Sequence, residues 1–315
     1  MTPPLSVSVV IPSFRGGRRL VDAVRLLVAA PSVPAEVLVA DNGLPPRMVD
    51  ALASAGASIV AMGTNRGFGA AVNRAAAAAS GDVLVVLNDD ETPGDDFAAR
   101  IAAPLANGSD MVAGVLLSDR DPSVIETAGI EIDAAVSPYD YLHGEPTSRL
   151  DEPLRPPFAP CGGAAAYRMA AFREVGGFDE GFFAYGEDLD LAIRLRHAGA
   201  ACALAPDARA LHASSSTLGY GSLAKAILVG YSRGYLLRKY GVLRRPRTAA
   251  RALAVEAAAS GVLLARHRSL APAGARIRGW RSCRVNAPPP PPGAATVAVL
   301  DGLRRRYARS NRGRA

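Results

Sequence analysis

Residues 83–91 read VLVVLNDDE: five aliphatic side chains run straight into an amide and three carboxylates. A run this short and apolar at every position suits a strand of a parallel sheet covered on both faces. In open α/β sheets, ligands bind in the crevice beyond the carboxyl ends of the strands. The stretch therefore predicts both a fold class and the place where chemistry would sit. Working outward, the preceding Gly67–Ala79 is an Ala-rich helix closed by Ser80-Gly81. Val7–Ile11 is a β-branched strand ended by Pro12, and Arg18–Ala29 carries Leu20, Val24 and Leu27 at helical spacing. Glu36–Ala40 and Ser58–Ala61 complete a strand–helix alternation that predicts an α/β fold with a mostly parallel sheet flanked by helices.

Beyond residue 118 the chain is less regular. Ile125–Asp133 reads as a strand or hairpin, and 137–157 as a long loop rich in Pro and acidic residues. Regularity returns with Met169–Val175 and with Gly186–Gly199, a helix stopped by Gly199. Ala201–Ala205 is a further strand, and 206–217 reads as a loop containing His212. From Leu223 the chain turns helical and basic, until five prolines, Pro288–Pro292, precede a tail ending RRRYARSNRGRA. These shifts divide the chain into 1–222, an α/β domain; 223–287, a basic helical extension; and 288–315, a Pro-rich spacer and basic tail expected to be disordered.

Charge follows the same division. Residues 1–224 hold 16 Lys+Arg against 27 Asp+Glu, whereas residues 225–315 hold 20 against 2. An acidic body argues against nucleic acid as its main ligand, while the basic end suits an anionic membrane or another polyanion. The start, MTPPLSVSVVIPSF, has no basic leader-like region, and three cysteines have neither pairing number nor metal spacing, so a reducing cytoplasm is the expected compartment.

Three strand ends are polar: Pro12-Ser13-Phe14, Asp41-Asn42-Gly43 and Asn88-Asp89-Asp90-Glu91. The Asp41 segment reads equally as a tight turn or as a ligand for a base or ribose. The acidic cluster reads as a loop capping the helix that follows, or as carboxylates bridged by a hard divalent cation such as Mg²⁺ or Mn²⁺ on a diphosphate. A second acidic centre, Glu187-Asp188, opens a helix. Carboxylates in a first turn are favoured by the helix dipole, yet a carboxylate held rigidly behind Phe178, Phe182, Phe183 and Tyr185 also suits a general base facing a sugar hydroxyl. His212 reads as a surface histidine or a metal ligand.

Five segments in order carry a resemblance: SVVIPSF, VLVADNG, NRGFGAAVNRAAAAASGDVLVVLNDDE, CGGAAAYRMAAFREVGGFDEGFFAYGEDLDLAIRLRHAG and LAPDARALHASSST, together spanning about residues 6–217. Each is modest, but the order and spacing are specific. The chain resembles family 2 glycosyltransferases, particularly their rhamnosyltransferase-like branch. That resemblance implies a GT-A-type domain acting with inversion on a nucleotide-diphosphate sugar, linked to dTDP, UDP or GDP. It implies Pro12 and Phe14 lining the nucleotide site, Asp41 on the base, and Asn65, Arg66 and Gly67 against the nucleotide and sugar. Asn88-Asp89-Asp90 falls on the family's Asp-any-Asp metal motif, with Asp90 as the main metal carboxylate. Asp89 stands where the branch often has Pro, and Glu91 follows, which leaves open which carboxylates touch the ion. Gly162 and Gly163 fit the donor-sugar segment, His212 the histidine that joins the metal, and Glu187-Asp188 the Glu-Asp motif, with Asp188 as the base. The acceptor implied is a glycan, lipid-linked or small-molecule hydroxyl.

Two rivals remain at this level. A nucleotidyltransferase also joins a nucleotide site to acidic metal ligands, although PSFRGGRRL is a poor phosphate cradle. A sugar- or polyanion-binding protein on a degenerate transferase domain would lose Asp90, Asp188 or His212, and all are present. In the basic extension, Leu223, Ile227, Tyr231 and Leu237 interleave with Arg233, Arg238 and Lys239. The expected arrangement is helices packed on the domain with a solvated basic face, and Ala252–Ala265 as an apolar stretch too short to span a bilayer. Peripheral contact with the inner face of a membrane is the expectation for the basic surplus.

Overall fold

The computed structural model describes residues 5–30, 35–213, 221–290 and 297. Its elements are, in order, β1 (Val7–Ser13), α1 (Arg18–Val28), β2 (Ala35–Asp41), α2 (Pro46–Ser54), β3 (Ser58–Ala61), α3 (Phe68–Ala78), β4 (Val83–Leu87), β5 (Glu91–Pro93), α4 (Phe97–Ala106), β6 (Met111–Ser118) and β7 (Asp121–Thr127). There follow β8 (Ile130–Ile132), β9 (Pro138–Asp140), β10 (Ala164–Arg168), α5 (Met169–Glu174), α6 (Glu187–His197), β11 (Cys202–His212), α7 (Leu223–Lys239), α8 (Pro246–His267) and α9 (Ala271–Ser282). By contacts the chain forms two units: one of residues 1–130, 140–183 and 187–217, the other of 131–139, 184–186 and 218–315.

The first unit holds a nine-stranded sheet in the order β3-β2-β1-β4-β10-β6-β11-β5, with β7 paired to β6. β3, β2, β1 and β4 are all parallel, the half read from the apolar runs. All five residues of β4 are buried, as a strand covered on both faces requires. One layer of core joins Val9, Ile11, Val37, Val39, Val83 and Val85 to Leu20 and Val24 of α1, Leu52 of α2 and Ile101 of α4. The alternate residues Val10, Leu38 and Leu84 are also fully buried, and α3 presents Ala70, Ala71 and Val72 as its own buried side.

The second half of the sheet departs from simple alternation. β10 runs antiparallel between β4 and β6, and β6 lies parallel to β11. β11 reaches His212, so 206–212 of the segment expected to be a loop is strand, with a register shift between Leu204 and Arg209; 214–217 of that segment lie outside the described residues. Ala208 and Ala210, buried in alternation with more exposed neighbours, are what extend it. The expected loop 137–157 contains β9 and a 3-10 turn at Thr147–Asp151.

In the second unit α7 and α9 meet backbone to backbone. A Cβ on Gly234 would lie 1.9 Å from the Arg276 carbonyl oxygen, and one on Gly279 would lie 1.9 Å from that of Tyr231. The expected solvated basic face fails for Arg233 and Lys239, both buried. Arg233 donates to Glu256 at 2.6 Å and to the carbonyls of Val136 and Ala135 at 2.6 and 3.0 Å, which is how a buried guanidinium is satisfied. The apolar stretch Ala252–Ala265 is the middle of the 22-residue α8, which is long and apolar enough to cross a membrane by length and composition. Of the tail expected to be disordered, all but 288–290 and 297 lie outside the described residues.

Candidate active site

Parallel register brings the polar strand ends level. Ser13 pairs with Asp41 across β1 and β2, and Val10 with Val86 across β1 and β4. Three residues beyond the latter pair stand Ser13 and Asp89, and the Ser13 hydroxyl donates to Asp89 Oδ2 at 2.5 Å. Burial raises the Asp89 carboxyl and the Asp90 charge adds to this, while the Ser13 hydrogen bond opposes it. Pro12 is buried inside β1; Phe14, 38% exposed, is the residue of that pair with surface to offer.

Asp41 Oδ1 accepts the N–H groups of Gly43 and Leu44 at 2.8 and 2.6 Å, so the turn foreseen for this segment exists. Its neighbour Asn42 is buried and does more. Asn42 Nδ2 donates to the Gly67 carbonyl at 3.1 Å, and its Oδ1 accepts from Arg66 N–H at 3.2 Å. Asn65 Oδ1 accepts the Gly67 N–H at 3.0 Å. Gly67 has φ of +90°, and a Cβ there would lie 2.2 Å from the Phe183 carbonyl oxygen. Loop 65–67 is thus clamped to the end of β2, with the Arg66 guanidinium 3.7 Å from Glu180.

The acidic cluster lies against His212. β11 pairs His212 with Glu91 on one side and with Ser118 on the other. His212 Nε2 is 3.5 Å from Asp90 Oδ1, and Nδ1 is 2.9 Å from Glu126 Oε1. Asp90, Glu91 and His212 offer ligand atoms that all lie within 4.8 Å of one another. Burial alone would lower the imidazole; hydrogen bonds to Asp90 and Glu126, with the charges of Glu91 and Glu126, carry it up to about 10. Glu91 is fully buried, accepts from the Asn88 N–H and side-chain amide at 3.0 and 3.2 Å, and is pushed well above the usual carboxylate range by burial. The acidic cluster is not at the head of α4: Glu91 opens β5, and the residue that precedes α4 is Asp96, which makes no side-chain cap hydrogen bond.

Asp188 stands in the first turn of α6. Its Oδ2 accepts the Gly162 N–H at 3.2 Å and its Oδ1 the Leu189 N–H at 2.8 Å. Burial raises its carboxyl and the two amides oppose that. Burial and the adjacent Asp188 charge lift Glu187 to about 8. A Cβ on Gly162 would sit 3.6 Å from Asp188 Oδ2, whereas one on Gly163 would sit 2.2 Å from Glu91 Oε1 and 2.8 Å from Asn88 Nδ2. This glycine pair therefore has Asp188 on one side and the acidic cluster on the other. The expected aromatic wall is only partly present. Phe178 and Phe182 are core residues, Phe178 meeting Phe68, Phe172 and Tyr167 edge to face, while Phe183 is 42% exposed. Sequence reasoning gave Asn42 only as part of a polar strand end and missed Glu126: Asn42 acts on the backbone of Arg66 and Gly67, and Glu126 meets His212 across paired strands.

The α/β sheet thus gathers carboxylates and a histidine at its strand ends, with the Gly162-Gly163 pair between them and the carboxylate that opens α6. The chain belongs to glycosyl transferase family 2, whose model matches residues 8–176. A second model, described as the N-terminal domain of galactosyltransferase, matches residues 155–213. The chain is 31% identical over 242 residues to the N-acetylglucosaminyl-diphospho-decaprenol L-rhamnosyltransferase of Mycobacterium tuberculosis, covering 67% of this chain and 77% of that one.

Solved structures show the same fold. GalNAc-T7 with UDP, GalNAc and Mn²⁺ superposes with a TM-score of 0.60 at 16% identity, covering 76% of this chain and 49% of that one, so this chain spans about half its length. The mannosyltransferase PcManGT from Pyrobaculum calidifontis, with GDP-Man and Mn²⁺, gives 0.53 at 18% identity over 89% of this chain and 74% of that one. Glucosyl-3-phosphoglycerate synthase from Mycobacterium tuberculosis, with Mn²⁺, UDP and phosphoglyceric acid, gives 0.51 at 19% identity over 74% and 78%. The fold is the GT-A type that the sequence resemblance implied.

Proposed function

We propose that this glycosyltransferase moves a sugar, L-rhamnose on the strength of the 31% identical relative, from a nucleoside diphosphate to a hydroxyl of a lipid-linked glycan, inverting the anomeric carbon. One observation supports it above others: Gly162-Gly163 touches Asp188 on one side and Glu91 with Asn88 on the other. A donor sugar lying on that glycine pair would have a base to one side and the acidic cluster to the other.

Asp188 takes the proton of the acceptor hydroxyl as its oxygen attacks the anomeric carbon. The new carbon–oxygen bond forms on one face while the bond to the diphosphate breaks on the other, so a single carboxylate suffices. The Gly162 N–H holds Asp188 Oδ2 in place, and Asp188 Oδ1 is tied to its own helix. Asn42 fixes the Asn65-Arg66-Gly67 loop against which nucleotide and sugar would rest, with Phe14 and Asp41 at the nucleotide end. Glu187, behind the base, stays protonated up to about 8 and so adds no second charge beside it at neutral pH.

The donor set Asp90, Glu91 and His212 fits a divalent cation, Mg²⁺ or Mn²⁺. Asp90 and His212 would hold it; Glu91, buried and occupied by Asn88, stands behind them, as Asp89 does through Ser13. When bound, such an ion supplies positive charge to the departing diphosphate. The three solved relatives contain Mn²⁺. The anomeric configuration of the product, read by NMR, tests the reaction: inversion relative to the donor is expected, and retention would overturn the single-displacement reading.

A further inference from the structure

We infer that α8 lies flat on an anionic phospholipid surface, with its outward face in the headgroup–acyl boundary. This surface lies beyond the proposed chemistry, in the unit that holds α7, α8 and α9. On α8, Ala252, Val255 and Ala259 are buried, while Leu253, Val262 and Leu264 are 57%, 46% and 43% exposed. The acidic residue of the helix, Glu256, faces inward. Its Oε1 accepts from Arg233 at 2.6 Å, and its Oε2 lies 2.9 Å from Arg276 Nε. From 252 to 265 the exposed face is therefore free of charge, and exposed arginines flank it: Arg247 and Arg251 before, Arg266 and Arg268 after.

An apolar strip ended by arginines matches an interface in which acyl chains lie beneath phosphate headgroups. The charge around it points the same way: residues 225–290 carry 14 Lys+Arg and Glu256 as their one acidic residue. Length alone would also permit spanning, since 22 residues rise about 33 Å and a hydrocarbon core is about 30 Å thick. Glu256 decides against it. To span, the helix would carry a carboxylate through the bilayer centre after leaving two arginines that now neutralise it, a costly exchange. Lying flat keeps both ion pairs and buries Leu253 and Leu264, which lie on one side of the helix with Ala257 and Gly261 exposed between them; Val262 lies about half a turn away and is not part of that face.

The test is co-sedimentation of the full chain with phosphatidylcholine vesicles, with and without phosphatidylglycerol, for wild type and the double variant Leu253→Glu/Leu264→Glu. Both positions are exposed, and matching circular dichroism shows that the variant folds. Wild type should partition onto the phosphatidylglycerol vesicles, be released by alkaline carbonate, and bind about tenfold or more tightly than the variant. Equal binding by wild type and variant would place the contact on the basic tail and overturn the inference. So would failure of wild type to bind, resistance to carbonate extraction, or a variant that changes only the oligomeric state by light scattering. The assay reads no sugar transfer, so its failure is separate from failure of the proposed reaction.

Discussion

The backbone N–H of Gly162 donates to Asp188 Oδ2 at 3.2 Å, tying the glycine segment to the head of α6. A carboxylate oriented this way differs from a helix-capping residue, because one of its oxygens is turned to another segment 26 residues away in the chain.

Asp188→Asn separates those two roles. The amide oxygen can still accept from Gly162, so the fold and donor binding should survive, but the proposed proton acceptor is gone. The expected outcome is a kcat lower by about 10²–10⁴-fold with little change in donor KM, read as release of nucleoside diphosphate. A loss confined to KM would assign Asp188 to binding alone.

Gly163→Ala should be far harsher than Gly162→Ala. The new methyl at 163 would come 2.2 Å from Glu91 Oε1, where at 162 it would meet Phe68 at 3.3 Å. Overpacking of this kind costs about 1–3 kcal/mol, visible as a lower Tm for Gly163→Ala than for Gly162→Ala. Equal melting temperatures would show that the glycine pair does not pack as described.

Much of this was legible in the chain, for physical reasons that also explain what was not. Val83–Leu87 is apolar at every position, three of its five residues are β-branched valines, and a turn and an acidic cluster bound it. Ala164–Arg168, by contrast, reads AAAYR, and alanine favours helix by intrinsic propensity; only burial between β4 and β6 makes it a strand. His212 looked like a loop residue because PDARALH has small apolar positions rather than large ones. Glu126 reaches His212 through the pairing of β7 with β6 and of β6 with β11, a relation no local pattern encodes. The inward turn of Glu256, likewise, depends on arginines from two other helices.

Glu187 supplies a pH test. Its carboxyl, ordinarily near 4.5, stands at about 8 in the folded protein through burial and the charge of Asp188. The native state therefore binds this proton more tightly than the unfolded chain, so the stabilisation is full below about 4.5 and is lost as pH rises through about 8. Glu187→Gln escapes that loss: its Tm relative to wild type should climb between about pH 5 and pH 9. A Tm difference that stays flat or falls with pH would contradict the assignment.

Which carboxylate would hold the proposed cation can be settled by comparison. Glu91→Gln, behind the site, should weaken Mn²⁺ activation by about 10–100-fold, whereas Asp90→Ala should lose it more completely. The reverse order would make Glu91 the direct ligand and Asp90 its support.

The most direct measurement is release of nucleoside diphosphate from dTDP-, UDP- and GDP-sugars, with Mg²⁺ or Mn²⁺ and with donor binding followed in the same samples. Wild type, Asp188→Asn and Asp90→Ala are compared. Metal-dependent turnover of one donor, lost in both variants while Asp188→Asn still binds that donor, is the predicted result. Wild type that binds no nucleotide sugar in the presence of either metal would contradict the transferase assignment and leave a degenerate binding domain in its place.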